Sequence, residues 1–512
     1  MSISMLLAAQ TEEDNDPFFA GQRALMKQYP VPELTQEQMC EDFDTLMSIM
    51  KNCNPQCLVR KEVTGYDVLE QIASLRSKIA TCTNTLDFIK LLRDALFLAQ
   101  DKHIFIGHNV YWFKSSIYKE VVKRLNISGR EYGYNFHYAD SVFYIYLPAL
   151  SLFYTDGRYF LKYDVSFIYE NDTVFIPAGS ELITFNGENI VDYQNAIRLN
   201  SSQWDFERKR FYHNKLEIQS GKHQLAVKHY ETFLIQEVLF NQFTETIAKG
   251  DRGEEIRRRI HYFPKDSVLY IKLPIMAYWK KMIKQFQKEL WSYKKYPYQS
   301  VIIDIRGNEG GSDLAWLELL SCIVDTSLKY TWHCVTNNTE QAKQILKLTH
   351  KKRNLFQVEN RGDYITYGKE IDKIKPLHNN LKYSGTIYIL VNEDIFSSGG
   401  ALSSFSTKVD RIKTVGVPTG TIGGQGINPS LFILPNSRLM FSMEILLDAS
   451  GVNTFEDFYH DKVSYPVVPS VDYYRYWWNP QRGYEINEKA MYEHDEIFLK
   501  VLEIIKQEQN QK

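Results

Sequence analysis

Sixty Lys+Arg against 62 Asp+Glu in 512 residues leave a formal charge of −2, with 44% hydrophobic and 24% charged residues. The composition is globular and long enough for about three to four units of ~150 residues. So even a charge balance argues against nucleic acid or an anionic membrane surface as partner, because both select a basic face. No low-complexity tract or short repeat is present, which excludes disordered scaffolds and solenoids.

The opening segment 1–16, MSISMLLAAQTEEDND, reads as the end of a secretory signal that lacks its charged start. That reading places the protein outside the cytoplasm: periplasmic, in the cell envelope or secreted. The longest apolar stretch, Val142 to Tyr154, is broken by Pro148 and falls short of the roughly 18 residues of a spanning helix. No integral membrane segment is therefore expected. Six cysteines are too few for a disulfide framework. Cys53 and Cys57 are near enough to pair if the chain there is not helical, while Cys40, Cys82, Cys322 and Cys334 read as small buried hydrophobes.

Residues 17–103 carry helical periodicity. Thr35 and Gln38 form a capping box ahead of a stripe of Met39, Phe43, Leu46 and Met50. Two more stripes follow, Val68, Leu69, Ile72, Leu75, Ile79 and Phe88, Ile89, Leu92, Leu96, Ala99, each the inner face of a helix. From 104 to 265 short aromatic-rich runs broken by Gly, Asn and Asp predict a β-rich middle. Within it, Asn186-Gly187 signals a hairpin, and the basic stretch Arg252 to His261 predicts a helical link.

Residues 266–475 alternate strand and helix: VLYIKLPI, a helix with Met282, Ile283, Phe286 and Leu290 on one face, SVIIDIRG, a helix from Leu314 to Val324, then TIYILV and a helix near 400–408. Apolar strands with crossover helices predict a largely parallel sheet covered on both faces, whose ligands bind beyond the carboxyl ends of strands. Residues 476–512 read as a C-terminal helical tail. The fold class expected is multi-domain α/β.

Two loops at strand ends carry the chemistry. Asp304 to Gly311 places glycine N–H groups where no Cβ blocks approach. Ile395-Phe396-Ser397-Ser398-Gly399-Gly400 puts a serine at a helix start, where backbone N–H groups favour developing negative charge. No zinc-ligand spacing and no phosphate-cradling loop occurs, so no metal or organic cofactor is expected.

IIDIRGNEGG, then VNEDIFSSGGALSSF about ninety residues on, then VGVPTG, resembles the C-terminal-processing (tail-specific) and tricorn-core serine peptidases. Asp101-Lys102-His103 resembles that family's Asp-Gly-His-Thr element, FILPNSRLMFS and YPVVPSVDYY its later landmarks, and IPAGSELITFNGENI the second half of its PDZ-like module. The resemblance implies a crotonase-like catalytic domain, a PDZ-like unit in the middle, and hydrolysis of peptides or unfolded proteins. It implies Ser397 as nucleophile, with Ser398 as runner-up. It also implies an oxyanion hole from the Ser398 N–H and that of Gly310 or Gly311.

Tail-specific members use a lysine after the Val-Gly pair, but Val415 to Gly424 contains none. The tricorn-like branch uses a histidine, which His103 matches, although Lys102 and Ile104 stand where that family has glycine and threonine. The orienting acid belongs near Pro466-Val467-Val468-Pro469-Ser470. Glu456, Asp457 and Asp461 are the nearby acids, with Glu456 favoured. Two other readings stay open: a catalytically silent peptide- or ligand-binding protein on the same fold, and an acyl-CoA enzyme of crotonase type. Oligomeric state is not legible.

Overall fold

The computed structural model describes residues 32–106, 135, 149–169, 172–199, 202–217, 221–229, 232–239, 243–245, 257–278, 280–349, 356–420, 426, 429–459, 463–479 and 485–511. The signal-like opening, most of 107–148 and residues 252–256 of the expected basic link lie outside them.

Helix α1 (Gln36–Cys53) starts at the expected capping box, with Thr35 Oγ1 accepting from Gln38 N–H and the Gln38 side chain from Thr35 N–H. Helix α2 (Gln56–Thr64) follows directly, so the chain at Cys53 and Cys57 is helical and both are free thiols. The second apolar stripe is not one helix: it breaks after Ser74 into a 3-10 turn, Arg76–Thr81. Helix α3 (Thr85–Phe97) buries Phe88, Ile89, Leu92 and Leu96 as its spacing predicts.

The middle is β-rich. A seven-stranded antiparallel sheet spans strands from Ala149–Thr155 to Thr232–Leu239. Asn186-Gly187, both at positive φ, close a two-residue hairpin in which Thr184 faces Asn189. The basic link is corrected in part. Arg259–Phe263 is a strand, antiparallel to β1 (Val268–Lys272), because ladder pairing with a buried strand outweighs local helical preference.

β1, β2 (Ser300–Asp304), β3 (Ile387–Val391) and β4 (Ile412–Gly416) run parallel in that order, with Tyr465–Pro466 beyond β4. Alternate side chains enter two cores. Leu269, Ile271, Val301, Ile303, Ile387 and Ile389 pack with Leu319, Leu320 and Leu402. Val268, Tyr270, Ile302, Tyr388 and Leu390 pack with Tyr473, Tyr474 and the C-terminal residues Ile497, Phe498 and Val501. This two-sided burial explains why the strands read as unbroken apolar runs. The C-terminal region is thus one layer of the domain, and buried Arg306 ties it down through Asp304 at 2.9 Å and Asp495 at 2.6 Å.

Between β2 and β3 stands an antiparallel element that strand–helix alternation did not predict. Leu328–Asn337, Phe356–Arg361 and Tyr364–Ile374 pair with one another and with Leu447–Asp448. Among the described residues, no helix is long and apolar enough to cross a membrane.

Candidate active site

β2 and β3 are adjacent and parallel, with Ile303 opposite Ile389, so the loops leaving their carboxyl ends lie side by side. Asn308 joins them. Its backbone oxygen accepts from Phe396 N–H at 3.0 Å, its Nδ2 donates to Leu273 O at 2.7 Å, and its Oδ1 accepts from Gly310 N–H at 2.9 Å. The approach admits no side chain at 310: a Cβ there would fall 2.7 Å from Ser397 Cβ and 3.0 Å from Ser398 N, at a φ of +103°. Gly311 is pinned against Met276, whose N–H donates to Gly310 O and whose oxygen accepts from Ser312 N–H.

Ser397 caps helix α4 (Ser398–Ser404) at φ +53° and ψ −122°, a conformation costing a non-glycine residue about 1–3 kcal/mol. The strain holds the side chain at the strand-to-helix turn, half-buried, with no hydrogen-bond partner for its hydroxyl among the described residues. The Ser398 hydroxyl, in contrast, donates to Asp313 Oδ1 at 2.7 Å. Among the described residues neither Ser398 N–H nor Gly311 N–H is taken, whereas Gly310 N–H is spent on Asn308. Of the two glycines, only Gly311 leaves its N–H for a ligand.

His103 follows helix α3 at the end of the N-terminal helices. The short strand Phe105–Ile106 pairs with β5 (Met440–Met443), setting Phe105 opposite Ser442, and Ser442 Oγ donates to His103 O at 3.1 Å. The imidazole lies against Phe396, with ring centroids 4.3 Å apart, next to Ser397 but without a hydrogen bond to it. Its Nδ1 approaches Glu444 Oε1 to 3.0 Å and Asp101 Oδ1 to 3.7 Å. The Glu444 approach is off the N–H axis, which leaves both atoms buried without an aligned hydrogen bond.

The two carboxylates are held by one side chain. Gln56 Nε2 donates to Asp101 Oδ2 at 3.0 Å and to Glu444 Oε2 at 3.2 Å, while Gln56 Oε1 accepts from Arg60 at 2.7 Å. Asp101 also accepts the His103 N–H at 2.8 Å. Burial pushes His103 below its ordinary pKa, against the pull of Asp101. Burial, reinforced by the Asp101 charge, pushes Glu444 well above the usual carboxylate range, Arg60 and Gln56 working against it. Both directions favour the neutral forms, and a neutral imidazole is the form able to accept a proton.

Glu456 is not beside the histidine. It is exposed at the start of the short helix Glu456–Tyr459. The acids facing His103 are Glu444 and Asp101. One signal in the sequence could have found Glu444: it is the single charge inside the apolar run LMFSMEILL, and a carboxylate buried there must answer to a polar partner. Asp101, His103 and Glu444 also have metal-ligand character, their nearest ligand atoms all within 4.8 Å of one another.

Residues 267–457 match the model of peptidase family S41. No curated protein matches the chain by sequence. Among solved structures, mature CPAF is similar with a TM-score of 0.58 at 15% identity, over 92% of this chain and 98% of that one. Mature CPAF complexed with lactacystin is similar at 0.57 and 15% identity, over 93% and 99%. At that identity the likeness is one of fold. The stretch that carries the glycine loop, Ser397 and Glu444 thus matches peptidase family S41, within a chain similar in fold to mature CPAF.

Proposed function

We propose that the protein is a serine peptidase acting on peptides or unfolded chains, with Ser397 as nucleophile, His103 as base and Glu444 as the acid that faces it. The observation that carries this reading is a serine at positive φ heading a helix, beside a histidine–carboxylate pair packed on the preceding residue. In the first step Ser397 Oγ attacks the peptide carbonyl carbon as its proton passes to His103. The carbonyl π electrons move to oxygen, and the Ser398 and Gly311 N–H groups stabilise that oxyanion. Collapse breaks the C–N bond, and the His103 proton goes to the leaving amine. Water, deprotonated by His103, then hydrolyses the ester. Asp101 stabilises the transient imidazolium, and Glu444 faces the ring on its Nδ1 side. The signal-like opening supports action outside the cytoplasm.

A silent binding protein is the second reading, favoured by the missing hydrogen bond between Ser397 and His103. Such contacts commonly tighten only on substrate binding. Fluorophosphonate labelling decides between them. The wild type and Ser398→Ala are expected to label, and Ser397→Ala is not. A wild type that never labels and never cleaves a peptide would establish the binding protein.

A further inference from the structure

Lys102 stands between two residues of the His103 site, where the resembling family has glycine. Its ammonium sits over the Phe396 ring, 5.3 Å from the centroid, on the residue that precedes Ser397. Among the described residues it forms no ion pair. The acids that influence it are Asp394 and Glu309, one on each catalytic loop, and Lys215 opposes them. Asp394 is already committed to Asn214 at 3.0 Å and to Lys162 at 4.0 Å, and Glu309 is exposed. The Lys102 side chain is half-buried, and burial lowers its ammonium below its ordinary value, so the charge is partly desolvated and has no counter-ion among the described residues.

We propose that Lys102 is a substrate-recognition residue whose ammonium receives a carboxylate of the bound peptide beside Ser397, either an acidic side chain or the chain terminus. This rests on the peptidase reading of the same site. A partly desolvated cation is costly alone and attracts an anion far more strongly than an exposed one. An incoming carboxylate supplies the missing partner at the moment of binding. Phe396 holds the ammonium in place through its ring face, so the charge is aimed before substrate arrives.

The test uses the full chain with Ser397→Ala, so that binding is read without turnover. Fluorescein-labelled unstructured decapeptides are compared by anisotropy in two pairings: Glu against Gln at each internal position, and free against amidated C-terminus. With Lys102 present, the carboxylate member of one pairing is expected to bind about tenfold or more tightly. The Glu pairing identifies a side chain as the source, the terminal pairing the chain end. Lys102→Met should bring that ratio close to one, and Lys102→Arg should keep part of it. Absence of any carboxylate preference, or the same preference in Lys102→Met, overturns the proposal. So does a Lys102→Met change on the Ser397 background that lowers kcat equally for all peptides and moves the pH profile, since that marks a proton-transfer group. Absence of cleavage by the wild type, with the binding preference intact, counts against the peptidase reading alone.

Discussion

His103 Nδ1 and Glu444 Oε1 lie 3.0 Å apart although one residue follows the N-terminal helices and the other lies in the stretch that matches the peptidase family. The pairing of Phe105–Ile106 with β5 brings them together, setting His103 and Glu444 across from each other just beyond the same end of one ladder. A carboxyl group there holds the ring's orientation and tautomer for proton transfer.

Glu444→Gln is therefore expected to lower kcat by about 10²–10⁴-fold, whereas Glu456→Gln should leave it near wild type. The two variants also differ in stability. Glu444 has a raised folded pKa, so the folded state binds more protons than the unfolded one above the ordinary glutamate value of 4.5. Stability from this group is lost as pH rises through the folded pKa. Removing the ionisable proton should raise Tm by about 1–3 °C at pH 8. Thermal scans at two pH values, with steady-state kinetics, check both halves. Equal kinetic loss in both variants would reject the assignment.

The pH profile carries a second expectation. His103 is shifted below the ordinary histidine value of 6.5, so its basic form persists into mildly acidic solution. The acid limb of kcat/KM should have its midpoint below about 6.5. The unfolded chain binds the extra proton first, so the His103 contribution to stability declines as pH falls below its unfolded value. A limb centred above 7 would point to a different base.

Gln56 tests the support of the pair. It donates a hydrogen bond to both Asp101 and Glu444. Gln56→Leu leaves two buried carboxyl oxygens without their donor, each loss costing about 1–3 kcal/mol. Activity should drop and the acid limb should shift, because the field around His103 changes. Gly426→Ala attacks the same place by bulk, since a Cβ at 426 would fall 1.3 Å from Glu444 Oε2. A fully active Gly426→Ala would show that Glu444 is free to move without consequence.

Arg306 is expected to matter for stability above all. Burial would raise Asp304, but the adjacent Arg306 outweighs it and holds the carboxyl at about 2. That stabilisation is fully present above the unfolded carboxylate value and is lost only as pH falls toward 2. Arg306→Ala strands Asp304 and Asp495 inside the domain and should cost about 3–5 kcal/mol. The variant should regain stability between pH 7 and 5, as the stranded carboxyls protonate, where the wild type does not. Urea denaturation at both pH values reads the difference.

What was legible in the sequence was local. The parallel strands announce themselves because burial on both faces demands apolar residues at every position, from Val268 to Ile271 and from Ile387 to Val391. The loops at 304–311 and 395–400 are visible because glycine and a helix-heading serine are needed at fixed short offsets from strand ends. The Thr35 cap and the Asn186-Gly187 turn are legible for the same reason, since their hydrogen bonds close within a few residues.

Tertiary structure decided everything that depends on direction or on distant partners. Arg259–Phe263 became a strand because β1 offered it a ladder. Gly311 rather than Gly310 keeps a free N–H because Asn308 folds its side chain back onto the loop. Glu444 rather than Glu456 faces His103 because a strand pairing between two separate regions sets them side by side. Spacing along the chain encodes which groups are available, but a hydrogen bond between distant residues is chosen only when the backbone ladders fix where each side chain ends.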